Sequence, residues 1–120
     1  MARDKANHHP YPRSARLNET LRQIISEELV RLADTDDRIG FVTVTGVETT
    51  EDLRAAIVFL DSLDDETKEA LEERRAQIQG SVNAQTRMKR TPKLSFMADP
   101  AIAAGDAVEE VLRRSHHDEE

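Results

Sequence analysis

An α+β domain, built as a three-stranded sheet covered by helices, is what this sequence predicts, and three observations predict it. Residues 17–32 repeat apolar side chains at helical spacing. FVTVTGVE (41–48) and RAAIVFL (54–60) are strand-like, β-branched or apolar runs joined by a short polar link. A long helix-forming stretch then leads through Pro92 to a third short alternating run, KLSFMA (93–98). Strands interleaved with helices in this way define a layered α+β fold.

The elements follow in order. Residues 1–13 are polar, carry His8, His9, Pro10 and Pro12, and read as a disordered tail. Ser14 is placed to cap a helix whose stripe is Leu17, Leu21, Ile24, Ile25, Leu29 and Leu32, with Glu28 as its acidic exception. That helix ends near Ala33, before the DTDDR loop at 34–38. In strand 41–48, Val42 and Val44 alternate with Thr43 and Thr45, and TTED (49–52) turns the chain into the second strand. The short link makes the pair an antiparallel hairpin with Val44 and Val58 inward.

Asp61–Glu66 is an acidic loop in which Asp64 or Asp65 caps the next helix. ETKEALEERRAQIQ consists of strong helix formers, and Leu71, Ile78 and Val82 give it an apolar stripe. Gly80 costs about 1 kcal/mol relative to Ala inside a helix, so a bend or break into two shorter helices is expected there. Pro92 stops helical structure, Leu94 and Phe96 share one face of the third strand, and Asp99–Pro100 opens a last helix over about 100–114. Ile102, Val108, Val111 and Leu112 are its apolar positions. Phe41, Phe59 and Phe96 are expected in the core, with Met88 and Met97 packing beside them. The domain boundaries are 14–115 for the folded unit and 116–120 for an acidic C-terminal tail.

Composition narrows the function classes. At 120 residues and 38% hydrophobic content the chain suits one domain with a modest core. It has no cysteine, which excludes disulfides and thiolate metal sites and fits a reducing compartment. The N-terminal residues contain no apolar stretch of the signal-peptide kind, and the longest apolar run, AAIVFL at 55–60, is far short of a membrane span. A cytoplasmic protein with no membrane contact is expected.

The net charge of −7 hides a segregation. Between Arg74 and Ala98 lie Arg74, Arg75, Arg87, Lys89, Arg90 and Lys93 and no acid, leaving 11 of the 17 basic residues against all 24 acidic ones elsewhere. Such clustering makes a local positive field on an acidic body. It reads either as a solvated face or as a phosphate-binding stripe.

Two words in the sequence resemble the bacterial ribosome-binding factor A family. VTVTGVETTEDLRAAIVFL (42–60) matches that family's hairpin through Thr43, Val44, Thr45, Val47, Asp52, Leu53, Arg54, Ala56 and Val58. The second word, R-x-x-R-T-P-x-L-x-F-x-x-D, runs from Arg87 to Asp99 through Arg90, Thr91, Pro92, Leu94 and Phe96. The resemblance covers about residues 14–114. It implies a type II KH-like domain, α-β-β-α-α-β plus a C-terminal helix. KH domains commonly clamp nucleic acid with a GxxG loop; with glycines only at 40, 46, 80 and 105, this chain has none. The family resembled replaces that loop with an A-x-G kink between two helices. The equivalent position here is Arg74–Arg75–Ala76, so either the kink persists without those small residues or the bend falls nearer Gly80.

The resemblance further implies a non-enzymatic assembly factor that binds the free 30S small ribosomal subunit and assists late maturation and 5′-end processing of 16S rRNA. It would act as a monomer with no cofactor, no metal and no small-molecule substrate. Lys and Arg supply the phosphate contacts that dominate nucleic-acid affinity. The expected RNA-binding residues are Arg74, Arg75, Arg87, Lys89, Arg90 and Lys93, extended by Arg54 on the second strand and by Arg16 and Arg22 on the first helix. The rival is a small acidic protein-interaction adaptor without RNA binding, working through faces 61–73 and 106–120.

Other chemistry is weakly supported. His8–His9 and His116–His117 are adjacent histidines on polar tails, which read as solvated groups more readily than as metal ligands. Asp64, Asp65 and Glu66 sit where a helix N-terminus attracts acids through its dipole, without catalysis. No nucleophile elbow, Walker loop or dinucleotide fingerprint is present.

Overall fold

The computed structural model describes residues 13–102 and Leu112. The predicted tails, most of the predicted last helix with Val108 and Val111, and both histidine pairs lie outside the described residues. The elements are α1 (Arg13–Ala33), β1 (Val44–Thr49), β2 (Ala55–Leu60), α2 (Asp65–Glu73), α3 (Arg75–Gln85) and β3 (Lys93–Ala98). Pro100–Ile102 begin a further helical turn, with the backbone N–H of Ala101 donating to the Asp99 carboxylate at 2.9 Å. The helix α1 opens at Arg13, so Ser14 lies within its first turn and is not the cap.

The sheet order is β1-β2-β3, with β1 antiparallel and β3 parallel to the central β2. This is a type II KH-like sheet with the helices covering one face. Alternation along β2 and β3 turns Ala56, Val58, Leu60, Leu94 and Phe96 to the core and leaves Ile57 and Met97 exposed. Met97 therefore does not pack as expected; its place in the alternation of β3 puts it on the open face.

β1 differs from expectation, and the cause is a bulge. The register runs Val44↔Leu60, then Gly46↔Phe59 and Val47↔Val58, so Thr45 is an extra residue. A bulge reverses the inward and outward sets beyond it. Val44 and Val47 are therefore both buried, whereas strict alternation would have turned Gly46 and Glu48 to the core. Thr45 is redirected so that its hydroxyl donates to the Asp99 carboxylate at 2.7 Å, tying β1 to the end of β3. The strand starts at Val44, not at 41, and Phe41 lies in the preceding loop, fully exposed and not in the core.

On the covering face, Leu21, Ile24, Ile25, Leu29 and Leu32 of α1 meet Leu71, Ile78 and Val82 of α2 and α3 in one cluster with the inward strand residues. Glu28 is buried in the same stripe and is matched by α3. It accepts from Ser81 Oγ at 2.7 Å, Gln77 Nε2 at 3.4 Å and Arg31 Nη2 at 2.6 Å. Burial pushes the Glu28 carboxyl up, but these donors outweigh it and hold the group below its ordinary value. Gln77 and Ser81 are one turn apart, and both reach the same carboxylate.

The break between the helices falls at Arg74, whose φ of −94° and ψ of 5° leave the helical region. Gly80 lies inside an unbroken α3. The kink therefore stands at the position the resemblance indicated, without the small residues. Hydrogen bonding continues across it, from Arg74 N–H to the Ala70 and Leu71 carbonyls and from Ile78 N–H to the Arg74 carbonyl. The α2 N-terminus is capped by Asp64, which accepts from Thr67 N–H at 2.7 Å.

Candidate nucleic-acid interface

α1 is 21 residues long, about 31 Å at 1.5 Å per residue, and its two ends mark two chemically different ends of the molecule. At its start, Leu17 shares a shallow hollow with Asp52, Leu53 and Arg54 of the β1–β2 turn and Met88, Lys89 and Arg90 of the segment before β3. The parallel pairing of β2 with β3 brings these two segments together. Ala55 opposes Lys93, and Lys93 N–H donates to the Arg54 carbonyl at 2.9 Å.

The turn is built by its own polar groups. Leu53 N–H donates to the Thr50 carbonyl at 2.9 Å, and Asp52 accepts from the Thr50 hydroxyl at 2.8 Å and from Arg54 N–H at 3.1 Å. The Arg54 amide and then the Thr50 hydroxyl hold the Asp52 carboxyl below its ordinary value. Leu53 takes φ 60°, a left-handed conformation that costs a branched side chain about 1–2 kcal/mol. Its effect is to close the 50–54 turn while Leu53 and Arg54 line the hollow. The Asp52 carboxylate is thus committed to the turn, 3.8 Å from Arg54 Nε, and Arg54 remains 72% exposed.

Arg87, Lys89, Arg90 and Lys93 are all exposed, and none has an ion-pair partner among the described residues. Exposed Arg16 adjoins Leu17 at the same end. The result is an apolar floor of Leu17, Leu53 and Met88 with Arg54, Lys89 and Arg90 on its rim beside the turn-bound Asp52 carboxylate. Phosphate contacts at such a rim, with an apolar surface beneath, suit a nucleic-acid backbone with an unstacked base or sugar.

The other expected residues do not join this group. Arg22 pairs with Glu19 and lines a separate hollow with Gly46, Val47 and Glu48. Arg74 and Arg75 stand at the far end of the 11-residue α3, about 16 Å of helix away. α3 runs antiparallel to α1, because Arg74 meets Asp36 just past the end of α1 while Met88, beyond α3, meets Leu17 near its start. The kink therefore lies beside the C-terminal end of α1. Arg75 approaches Glu72 at 4.0 Å, and its Nε is buried without a partner. Arg74 donates from Nε and Nη2 to Asp36 at 3.4 Å.

Asp36 is the centre of a cluster that sequence reading missed. Arg38 meets its carboxylate with Nε at 3.0 Å and Nη2 at 2.8 Å, and reaches Glu73 at 2.8 Å. The Arg38 carbonyl accepts from the Thr67 hydroxyl at 2.7 Å. The 34–43 loop thereby grips both ends of α2, and Arg38 first among its neighbours holds Asp36 well below the usual carboxylate range. Ion pairs from this loop flank the kink, Arg38 with Glu73 just before it and Asp36 with Arg74 at it. The acid-rich DTDDR word was the available signal, but nothing local indicated which helix it would meet.

Among the described residues, no cluster of acids or histidines is arranged to hold a metal ion, and no helix is long and apolar enough to cross a membrane.

These features define a small KH-like domain with a cationic groove at one end of its sheet. The model of the ribosome-binding factor A family matches residues 13–112, and the chain belongs to that family. A ribosome-binding factor A from Rubrobacter xylanophilus is 36% identical over 105 residues, covering 84% of this chain and 85% of the relative. The crystal structure of ribosome-binding factor A from Thermus thermophilus superposes with a TM-score of 0.65 at 25% identity, covering 71% of this chain and 94% of that one. A Thermus thermophilus ribosome binding factor A homology model, fitted into a cryo-EM map of its 30S complex, shares the fold. Its TM-score is 0.59 at 24% identity, covering 69% of this chain and 91% of that one.

Proposed function

We propose that this chain is a ribosome assembly factor that binds the free 30S small subunit and assists late maturation and 5′-end processing of its 16S rRNA. The observation that carries the reading is the convergence of Arg54, Lys89 and Arg90 on one apolar-floored groove, in a member of the ribosome-binding factor A family. A protein of the same fold and family name, fitted into a 30S complex, supports the choice of partner. The chain works by holding an RNA conformation and leaves cleavage to other enzymes. It acts in the cytoplasm, as a monomer.

Cosedimentation tests this directly. The full chain is expected to sediment with purified free small subunits and not with assembled ribosomes, and to release as salt rises. Equal recovery with both particles, or none with either, would overturn the proposal.

A further inference from the structure

The end of the molecule opposite the groove carries an exposed aromatic knob that RNA binding leaves unused. Gly40, at φ 53°, turns the chain in a left-handed conformation, and Phe41 emerges with its full surface in solvent. A Cβ at Gly40 would meet nothing, so the backbone angle alone favours glycine there. Val30, 69% exposed, lies across a hollow from Phe41 that is lined by Leu29, Ala33 and Val42. Contiguous apolar surface of this kind marks an interaction site more often than scattered single residues do.

Its surroundings are acidic. Asp34 lines the hollow, and exposed Asp37 lies in the same loop. Among the described residues, the cations of the adjoining helix end and loop are paired, Arg31 to Glu28 and Arg38 to Asp36 and Glu73. A phosphate backbone would be repelled here. A lysine- and arginine-rich protein surface with an apolar cleft would meet both the charge and the ring. We propose that Phe41 and Val30, framed by Asp34 and Asp37, dock a basic protein component of the particle that the groove binds. The inference rests on the small-subunit reading above. The factor would then grip RNA with one end and protein with the other, and the two contacts together would favour a particle carrying both.

The test uses the full chain with benzoyl-phenylalanine at position 41, bound to purified free small subunits and irradiated. The expected adduct is with a basic protein of the subunit, and it is suppressed in the Asp34→Lys/Asp37→Lys background. In parallel, Phe41→Ser should weaken binding to intact subunits at least ~10-fold, as loss of a central aromatic anchor does, while binding to protein-free 16S rRNA is unchanged. Its melting temperature should match wild type, because the ring is outside the core. An adduct with rRNA, no adduct within a complex that forms, or an equal loss on naked rRNA would each overturn the inference while leaving the small-subunit reading intact. Failure of the wild-type chain to bind subunits at all would remove both.

Discussion

Single residues decide how this chain differs from a generic amphipathic pattern. Glu28 interrupts an apolar stripe and is buried, yet three donors meet it from α1 and α3. Removing it deletes all three hydrogen bonds, but Ser81 is half-buried and Gln77 and Arg31 are exposed, so water can replace the lost acceptor. Glu28→Ala is expected to cost about 0.5–1.5 kcal/mol, the net worth of hydrogen bonds whose donors can turn to water, read as a shift of the urea midpoint at constant m-value. Asp36 acts through charge. Arg38, Arg74 and Glu73 surround it, and its folded-state pKa is lowered from the ordinary 3.8. A depressed carboxylate stabilises the fold above its unfolded pKa and loses that contribution as pH falls through the folded value. Asp36→Asn should therefore melt below wild type at pH 7, and the gap should close as the pH is lowered below the ordinary carboxylate range. Melting curves of both proteins across that range check it; a gap that widens on acidification would show that Asp36 stabilises in its protonated form.

At the scale of elements, much is legible in the sequence and the failures have identifiable causes. The bounds of β3 can be read directly because alternation, a preceding proline and a following Asp-Pro all agree there. The Leu71, Ile78, Val82 stripe is equally plain, while the cap stays open between Asp64 and Asp65 until the structure places it at Asp64. The inward set of β1 is misread by pattern alone because the bulge at Thr45, whose hydroxyl meets Asp99 54 residues later, shifts the register in a way a period-two pattern cannot encode, and residues 41–43 look strand-like but pair with no strand. The helix break stays open between Arg74–Ala76 and Gly80 in the sequence, since the residues that meet it, Asp36 and Arg38, lie on a loop more than 30 residues earlier. Two variants probe these elements. Val58→Asp places a carboxylate at a fully buried position of the central strand; it should abolish the cooperative melt, as an unpaired buried charge costs several kcal/mol. Gly80→Ala should stabilise by about 0.5–1 kcal/mol, because α3 is continuous there and a Cβ meets nothing within 4 Å. A lower melting temperature for Gly80→Ala would instead mark that position as a hinge.

For the whole molecule, the basic segment seen in sequence is two sites, not one stripe. Lys89 and Arg90 join Arg54 on one hollow at one end of the sheet, whereas Arg74 and Arg75 sit at the far end of α3, with Arg74 paired to Asp36. Linear clustering could identify the cations but not the helix that separates them, nor the partners that neutralise Arg74. The measurement that most directly tests the groove as the RNA-binding site is the salt dependence of affinity for 16S rRNA in the small subunit. Each phosphate contact contributes roughly 0.7–0.9 to the slope of log affinity against log salt. Arg54→Gln/Lys89→Gln/Arg90→Gln should lower that slope by about 2–3 with an unchanged melting temperature, since all three residues are exposed. Arg74→Gln/Arg75→Gln should lower it by less than about 1, because Asp36 pairs with Arg74 and both side chains are only about one-third exposed, against 72% for Arg54. A groove variant that keeps the wild-type slope, or a kink variant that loses the larger share, would contradict the assignment of RNA binding to the groove.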